Sequence, residues 1–169
     1  MSMHARPRTV GPVTPKKEPM QMPTGTTSDP IRHSFAAPPF EKATVLDSMR
    51  MGVVSCPPDT PLRDVARVMA TYRIHCVVVA EVAEGAPLGV IADIDVAAAA
   101  AGSRDAQAGT LARSEAITVH PDDSLQRAAQ LMSEHEVTHL VVVQPHSHHP
   151  VGVLSALDVA GALAWEGTA

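Results

Sequence analysis

Displaced by 63 residues, this chain overlays on itself without a gap. Pro58-Asp59 meets Pro121-Asp122, and Leu62, Ala66 and Met69 meet Leu125, Ala129 and Met132. Val78-Val79 meets Val141-Val142, Pro87 and Gly89-Val90 meet Pro150 and Gly152-Val153, and Asp95-Val96-Ala97 meets Asp158-Val159-Ala160. Residues 55–101 set against 118–164 give 15 identities in 47 pairs. An Ala/Val-rich composition raises chance matches but does not bring Pro, Asp, Met and Gly into register, so this is a true internal duplication. A unit of this size stands poorly alone, so the two copies are expected to share one domain, sheet against sheet.

Within each copy the local signals agree. Val53-Val54-Ser55-Cys56 reads as a short strand stopped by Pro57-Pro58. A helix follows, with Thr60 as its expected N-cap and Pro61 at the first helical position. The second copy opens Asp123-Ser124-Leu125-Gln126, with Gln126 as a candidate capping-box partner. Leu62, Val65, Ala66 and Met69 fall at i, i+3, i+4 and i+7, as do Leu125, Ala128, Ala129 and Met132, giving one apolar helical face each. The β-branched runs Val77–Val79 and Leu140–Val143 read as buried strands. A second strand at Leu88–Ile91 leads to an Ala-rich helix near Asp93–Ala101, and Ser155-Ala156-Leu157-Asp158 opens its counterpart as a capping box. The fold class expected is therefore mixed α and β, from two β-α-β-β-α repeats.

Composition narrows the function. Phe35, Phe40, Tyr72 and Trp165 are the only aromatics, so the core must be aliphatic. The net charge of -5 divides into +3 over residues 1–40 and -8 over the rest. An acidic, aromatic-poor body argues against nucleic-acid binding. Cys56 and Cys76, each in or beside an apolar run, read as buried free thiols. No secretory h-region and no apolar stretch of membrane-spanning length is present, so a cytoplasmic location with no membrane contact is the expectation. Residues 1–40 carry eight prolines without apolar periodicity and are expected to form a disordered tail. The repeats are then assigned to residues 41–103 and 104–169.

The duplicated pattern resembles a tandem pair of CBS domains (a Bateman module). The resemblance rests on Gly152-Val153-Leu154-Ser155-Ala156-Leu157-Asp158 in the second repeat and Gly89-Val90-Ile91-Ala92-Asp93-Ile94-Asp95 in the first. It covers roughly residues 42–165. It implies pseudo-twofold packing of the repeats and a cleft with up to two sites for adenosine compounds: AMP, ADP, ATP or S-adenosylmethionine. In that pattern the motif Asp accepts from ribose hydroxyls, and the motif Ser or Thr meets ribose or phosphate at a helix N-terminus. Both roles suit the chemistry, since a carboxylate is an acceptor-only group and a helix start offers free N–H groups.

Carried to this chain, Asp158 and Ser155 make an intact site, whereas Asp95 is accompanied by Ala92 in place of the hydroxyl and by Asp93. The Ser155/Asp158 site is therefore expected to be occupied in preference to the Asp95 site, or the latter to be empty, an extra carboxylate facing a phosphate being unfavourable. The resemblance further places adenine against Ser55 and Thr118 and against Ile74-His75-Cys76 and Val137-Thr138-His139, making His75, Thr138 and His139 candidate contacts. The ordinary reading of Ser155 and Asp158 is a helix cap, and that of each His a structural side chain. His146-Ser147-His148-His149 reads as a solvated turn, not a metal site.

No phosphate-binding Gly loop, Cys-x-x-Cys, His-Glu-x-x-His or nucleophile elbow appears, so no enzyme, catalytic cofactor or catalytic residue is expected. The function expected is a regulatory module that binds an adenine nucleotide or S-adenosylmethionine and relays the signal to an effector protein. The family often forms homodimers, for which the Ala-rich helices offer a packing surface. A ligand-free scaffold for protein–protein contact is the alternative.

Overall fold

The computed structural model describes residues 38–82, 85–102 and 105–164. The proline-rich segment expected to form a tail lies outside them, apart from its last three residues. A 3-10 turn at Phe40–Lys42 leads into α1 (Val45–Ser48), β1 (Arg50–Met51) and β2 (Ser55–Cys56). Then come α2 (Leu62–Tyr72), β3 (Cys76–Val79), β4 (Gly89–Ala92) and α3 (Asp93–Ala101). The second half runs α4 (Ala108–Leu111), β5 (Arg113–Ser114), β6 (Thr118–Val119), α5 (Leu125–Glu134), β7 (His139–Val143), β8 (Pro150–Ser155) and α6 (Ala156–Ala164). Two four-stranded sheets result, in the orders β1-β8-β7-β6 and β2-β3-β4-β5.

The 63-residue shift carries every helix and strand from α1 to α3 onto one of the second half, with bounds that differ by at most two residues. Each repeat, however, lends its leading segment to the other. β1 pairs antiparallel with β8, Arg50 opposite Val153, and β5 pairs antiparallel with β4, Val90 opposite Arg113. The backbone bonds of the exchange match in pairs. Leu125 N–H donates to the Ala43 carbonyl and Leu62 N–H to that of Ala106, both at 2.9 Å. Val45 N–H donates to Asp123 at 2.9 Å and Ala108 N–H to Thr60 at 2.8 Å. This is the pseudo-twofold relation expected of the duplication, with an added swap.

The β-branched runs are buried on both faces, which is why they read as unbroken apolar stretches with no alternation. On one face Val77, Val79 and Ile91 pack against Val65 and Met69 of α2 and Ala108 of the borrowed α4. Leu140, Val142 and Leu154 likewise pack against Leu125, Ala128 and Met132 of α5 and the borrowed Ala43 and Val45. On the other face Val78, Val141 and Val143 meet one another, with Val53, Val90 and Val153 around them, and join the sheets. Among the described residues no polar or charged side chain is fully buried.

Two helix starts differ from expectation. Pro61, not Thr60, is the N-cap of α2, with extended backbone (φ -63°, ψ 144°). Its bridge to Gln107 fixes that conformation and delays the helix by one residue. In α5 the N-cap Ser124 accepts from Arg127 N–H at 3.2 Å. The third helical position is thus Arg127, and Gln126 completes no capping box. The box at Ser155 does form: Ser155 N–H donates to Asp158 Oδ2 at 2.8 Å, and Asp158 N–H to Ser155 Oγ at 3.2 Å.

Candidate functional site

Reciprocal exchange brings one end of each repeat against the other, and a cleft of about 680 Å³ opens there. One wall is the borrowed segment Arg50–Val54, and another is Arg73-Ile74-His75-Cys76 at the entrance to β3, with Asp93 from α3. Facing them are Thr138 and His139 of the second repeat, Val153, and the run Ser155–Asp158 where β8 turns into α6. The volume lies within the range of small-molecule sites, ~300–1,000 Å³.

Asp158 serves two purposes at once. Its Oδ2 is held by Ser155 N–H and the Ser155 hydroxyl, closing the capping box. Its Oδ1 faces the cleft and lies 3.5 Å from Arg50 Nε. The carboxylate is mostly buried (12% exposed) while Arg50 is in solvent (78%), so the acceptor is fixed and the cation can be displaced. A helix cap and a ligand contact are therefore compatible roles for one side chain.

Asp93, two residues from Asp95 in the chain, lines not the Asp95 pocket but this cleft, with Asp158. Its Oδ2 is 2.8 Å from His75 Nδ1, and that hydrogen bond holds its carboxyl below the ordinary carboxylate range. His139 is held below its ordinary value chiefly by burial. Cys56 and Cys76 are free thiols but half-buried, not buried as expected; partial burial and the nearby Asp93 and Asp158 charges push the Cys76 thiol up to about 11.

The symmetry-related pocket is far smaller, about 80 Å³. Asp95 stands there as Asp158 does in the large cleft, its Oδ2 accepting from Ala92 N–H at 2.8 Å. Ala92 supplies no hydroxyl. Gly52 and Arg73 of the cleft are replaced by Glu115 and Glu136, in similar left-handed backbone (φ 86° and 55° against 66° and 53°).

The structure thus brings together Ser155, Asp158, His75, Thr138 and His139, with the last two shared by both pockets. Asp95 stands in the small pocket, and Ser55 and Thr118 line neither. They pair in register with Val78 and Val141, one residue beyond the segments that form the walls, Gly52–Val54 and Glu115–Ile117. Arg50 and Gly52 were not legible as cleft residues, because their place depends on the exchange of β1, and Arg73 lies one residue before the Ile74-His75-Cys76 segment. The His146–His149 segment is the turn between β7 and β8, and among the described residues no group of three or more His, Cys, Asp or Glu side chains is placed to hold a metal. None of the described helices is long and apolar enough to cross a membrane.

Two sheets completed by exchanged segments, with a cleft at the junction, define a paired-repeat module. The CBS domain signature matches residues 45–102 and 108–164, and the chain belongs to the CBS-domain family as a tandem pair. A CBS domain-containing protein of Bacillus subtilis (strain 168), YhcV, is 27% identical over 121 residues, covering 70% of this chain and 84% of the relative. The CBS domain protein PAE2072 of Pyrobaculum aerophilum, solved with AMP, is 29% identical with a TM-score of 0.62, covering 72% of this chain and 98% of that one. The CBS domain pair of protein MJ0100, solved with 5′-methylthioadenosine and S-adenosyl-L-methionine, superposes with a TM-score of 0.66 at 19% identity, covering 72% and 96%.

Proposed function

We propose that this chain is a regulatory module that binds an adenosine compound in the Ser155/Asp158 cleft and passes its occupancy to a partner protein, without catalysing a reaction. The observation that carries the reading is the fixed, inward-facing Asp158 Oδ1 in a cleft of about 680 Å³. A carboxylate held in this way accepts both hydroxyls of a ribose diol. The flanking start of α6 adds the positive end of its helix dipole. The AMP-bound relative at 29% identity supports the ligand class.

Occupancy would compete for the carboxylate that holds Arg50 and so alter the hold of the second repeat on β1. Coupling to a partner needs only that the ligand bind the two arrangements unequally. Exposed Ile94, Leu157 and Leu163 on α3 and α6 offer an apolar surface for pairing two copies as a homodimer.

The test is thermal unfolding with AMP, ADP, ATP, S-adenosylmethionine and GTP, on wild type and Asp158→Ala. Ligand at 100 times its Kd stabilises by about 2.7 kcal/mol, several degrees in a domain of this size. A shift with adenosine compounds alone, lost in the variant, is the expected result. A folded protein that responds to none of them would be a ligand-free scaffold.

A further inference from the structure

The cleft and the small pocket are lined from equivalent positions, so the 63-residue shift shows which side chains make one about 680 Å³ and the other about 80 Å³. Several exchanges would widen the small pocket: Thr138 stands where the cleft has His75, Val137 where it has Ile74, and Ala92 where it has Ser155. Two exchanges run strongly the other way. Glu115 replaces Gly52, and His139 replaces Cys76.

The backbone sets both bulky residues at the pocket. At Gly52 (φ 86°) an added β-carbon would meet nothing within 4 Å, so this position opens onto free space in the cleft. Glu115 keeps the same left-handed backbone (φ 66°), and its side chain lines the equivalent space. Such a conformation suits glycine and costs most other residues, and costs of this kind gather where a side chain has a task. His139 opens β7 opposite Ser155 as Cys76 opens β3 opposite Ala92. Its Nδ1 is 3.0 Å from the Thr138 hydroxyl, and the ring is part of the wall common to both pockets.

We infer that Glu115 and His139 close the second pocket by their bulk and so limit the chain to one ligand. This rests on the adenosine-binding reading of the Asp158 cleft and deepens it. Asp95 stands in the closed pocket as Asp158 does in the open one, each Oδ2 accepting from a backbone N–H at 2.8 Å. The carboxylate for a second ribose is in place, and what excludes the ligand is a volume of about 80 Å³, well under the ~300 Å³ of small-molecule sites.

Titration calorimetry with AMP tests this, on wild type and on variants given the residues of the cleft. Wild type should bind one AMP per chain, Glu115→Gly alone one, and Glu115→Gly with His139→Cys two. Glu115→Gln with His139→Cys, which keeps the bulk and removes the charge, should bind one. Thermal unfolding confirms that each variant is folded, and His139→Ala replaces His139→Cys if the first pair is not. Two AMP on wild type, on Glu115→Gly alone or on the Gln variant would overturn the inference, as would one AMP on the folded double variant with glycine. All these outcomes leave the Asp158 site standing. Failure of AMP to bind folded wild type would overturn both the inference and the reading beneath it.

Discussion

Gly152 lies so close beneath Arg50 that a β-carbon built on it would stand 2.4 Å from the Arg50 carbonyl oxygen. The contact is where β1 of the first repeat crosses β8 of the second. Gly152→Ala must therefore push β1 away or bend β8, and overpacking of this kind costs about 1–3 kcal/mol. Urea unfolding should register that loss. A variant as stable as wild type would mean that β1 yields freely and contributes little to the fold.

Removing residues 1–51 takes away Ala43 and Val45, both buried against Leu125 and Leu140, and leaves β8 with an open edge. A bare strand edge next to an uncovered apolar niche invites pairing with other chains. The truncated protein should be markedly less stable and should associate with itself on size exclusion. A stable monomer would show that the exchanged segment is dispensable.

Acid should weaken the fold well above the carboxylate range. Burial holds the His139 imidazole below its ordinary 6.5, reinforced by His75 and opposed by Asp93, Asp158 and Asp95. With the folded value below the unfolded one, the unfolded chain takes up its proton first as pH falls. Stability from this group is present above the ordinary value and declines as pH drops from there towards the lowered value. Asp93 and Asp47, both held low, lose their contribution only below the ordinary 3.8. Between about pH 7.5 and about 5.5, urea midpoints should fall for wild type and fall less for His139→Gln.

Cys76 should be a slow thiol that reports on the cleft. With the thiol pushed up to about 11, little thiolate exists near neutrality. In a Cys56→Ser background, the rate of alkylation by iodoacetamide should climb about tenfold per pH unit up to that value. Rapid, pH-independent labelling at neutrality would show that Cys76 is not held in this environment.

The duplication was legible because prolines, glycines and aspartates recur in register, and the strands because runs such as Val77–Val79 are buried on both faces. The exchange was not. β1 and β5 are two residues each, Arg50-Met51 and Arg113-Ser114, with no apolar alternation to mark them as strands. Their partners lie about a hundred and about twenty residues away, Arg50 opposite Val153 and Val90 opposite Arg113, so no local signal exists. Everything that depends on that pairing was lost with it: the part of Arg50 and Gly52 in the cleft, and the walls at Gly52–Val54 where Ser55 was expected. Asp158 and Ser155 were found because their spacing is local, three residues along one helix start.

The reciprocal loan of leading segments also constrains how such a chain could arise. A single unit of this kind carries a strand and a short helix that its own sheet cannot use, and lacks the pair that it needs. Alone it could complete itself only against a second copy, as an intertwined dimer trading arms. Joining two copies end to end turns that trade into an intramolecular one and frees each half to diverge. Once the halves were joined, Arg73 and Glu136 no longer had to be the same residue, and two equal pockets could become one of about 680 Å³ and one of about 80 Å³.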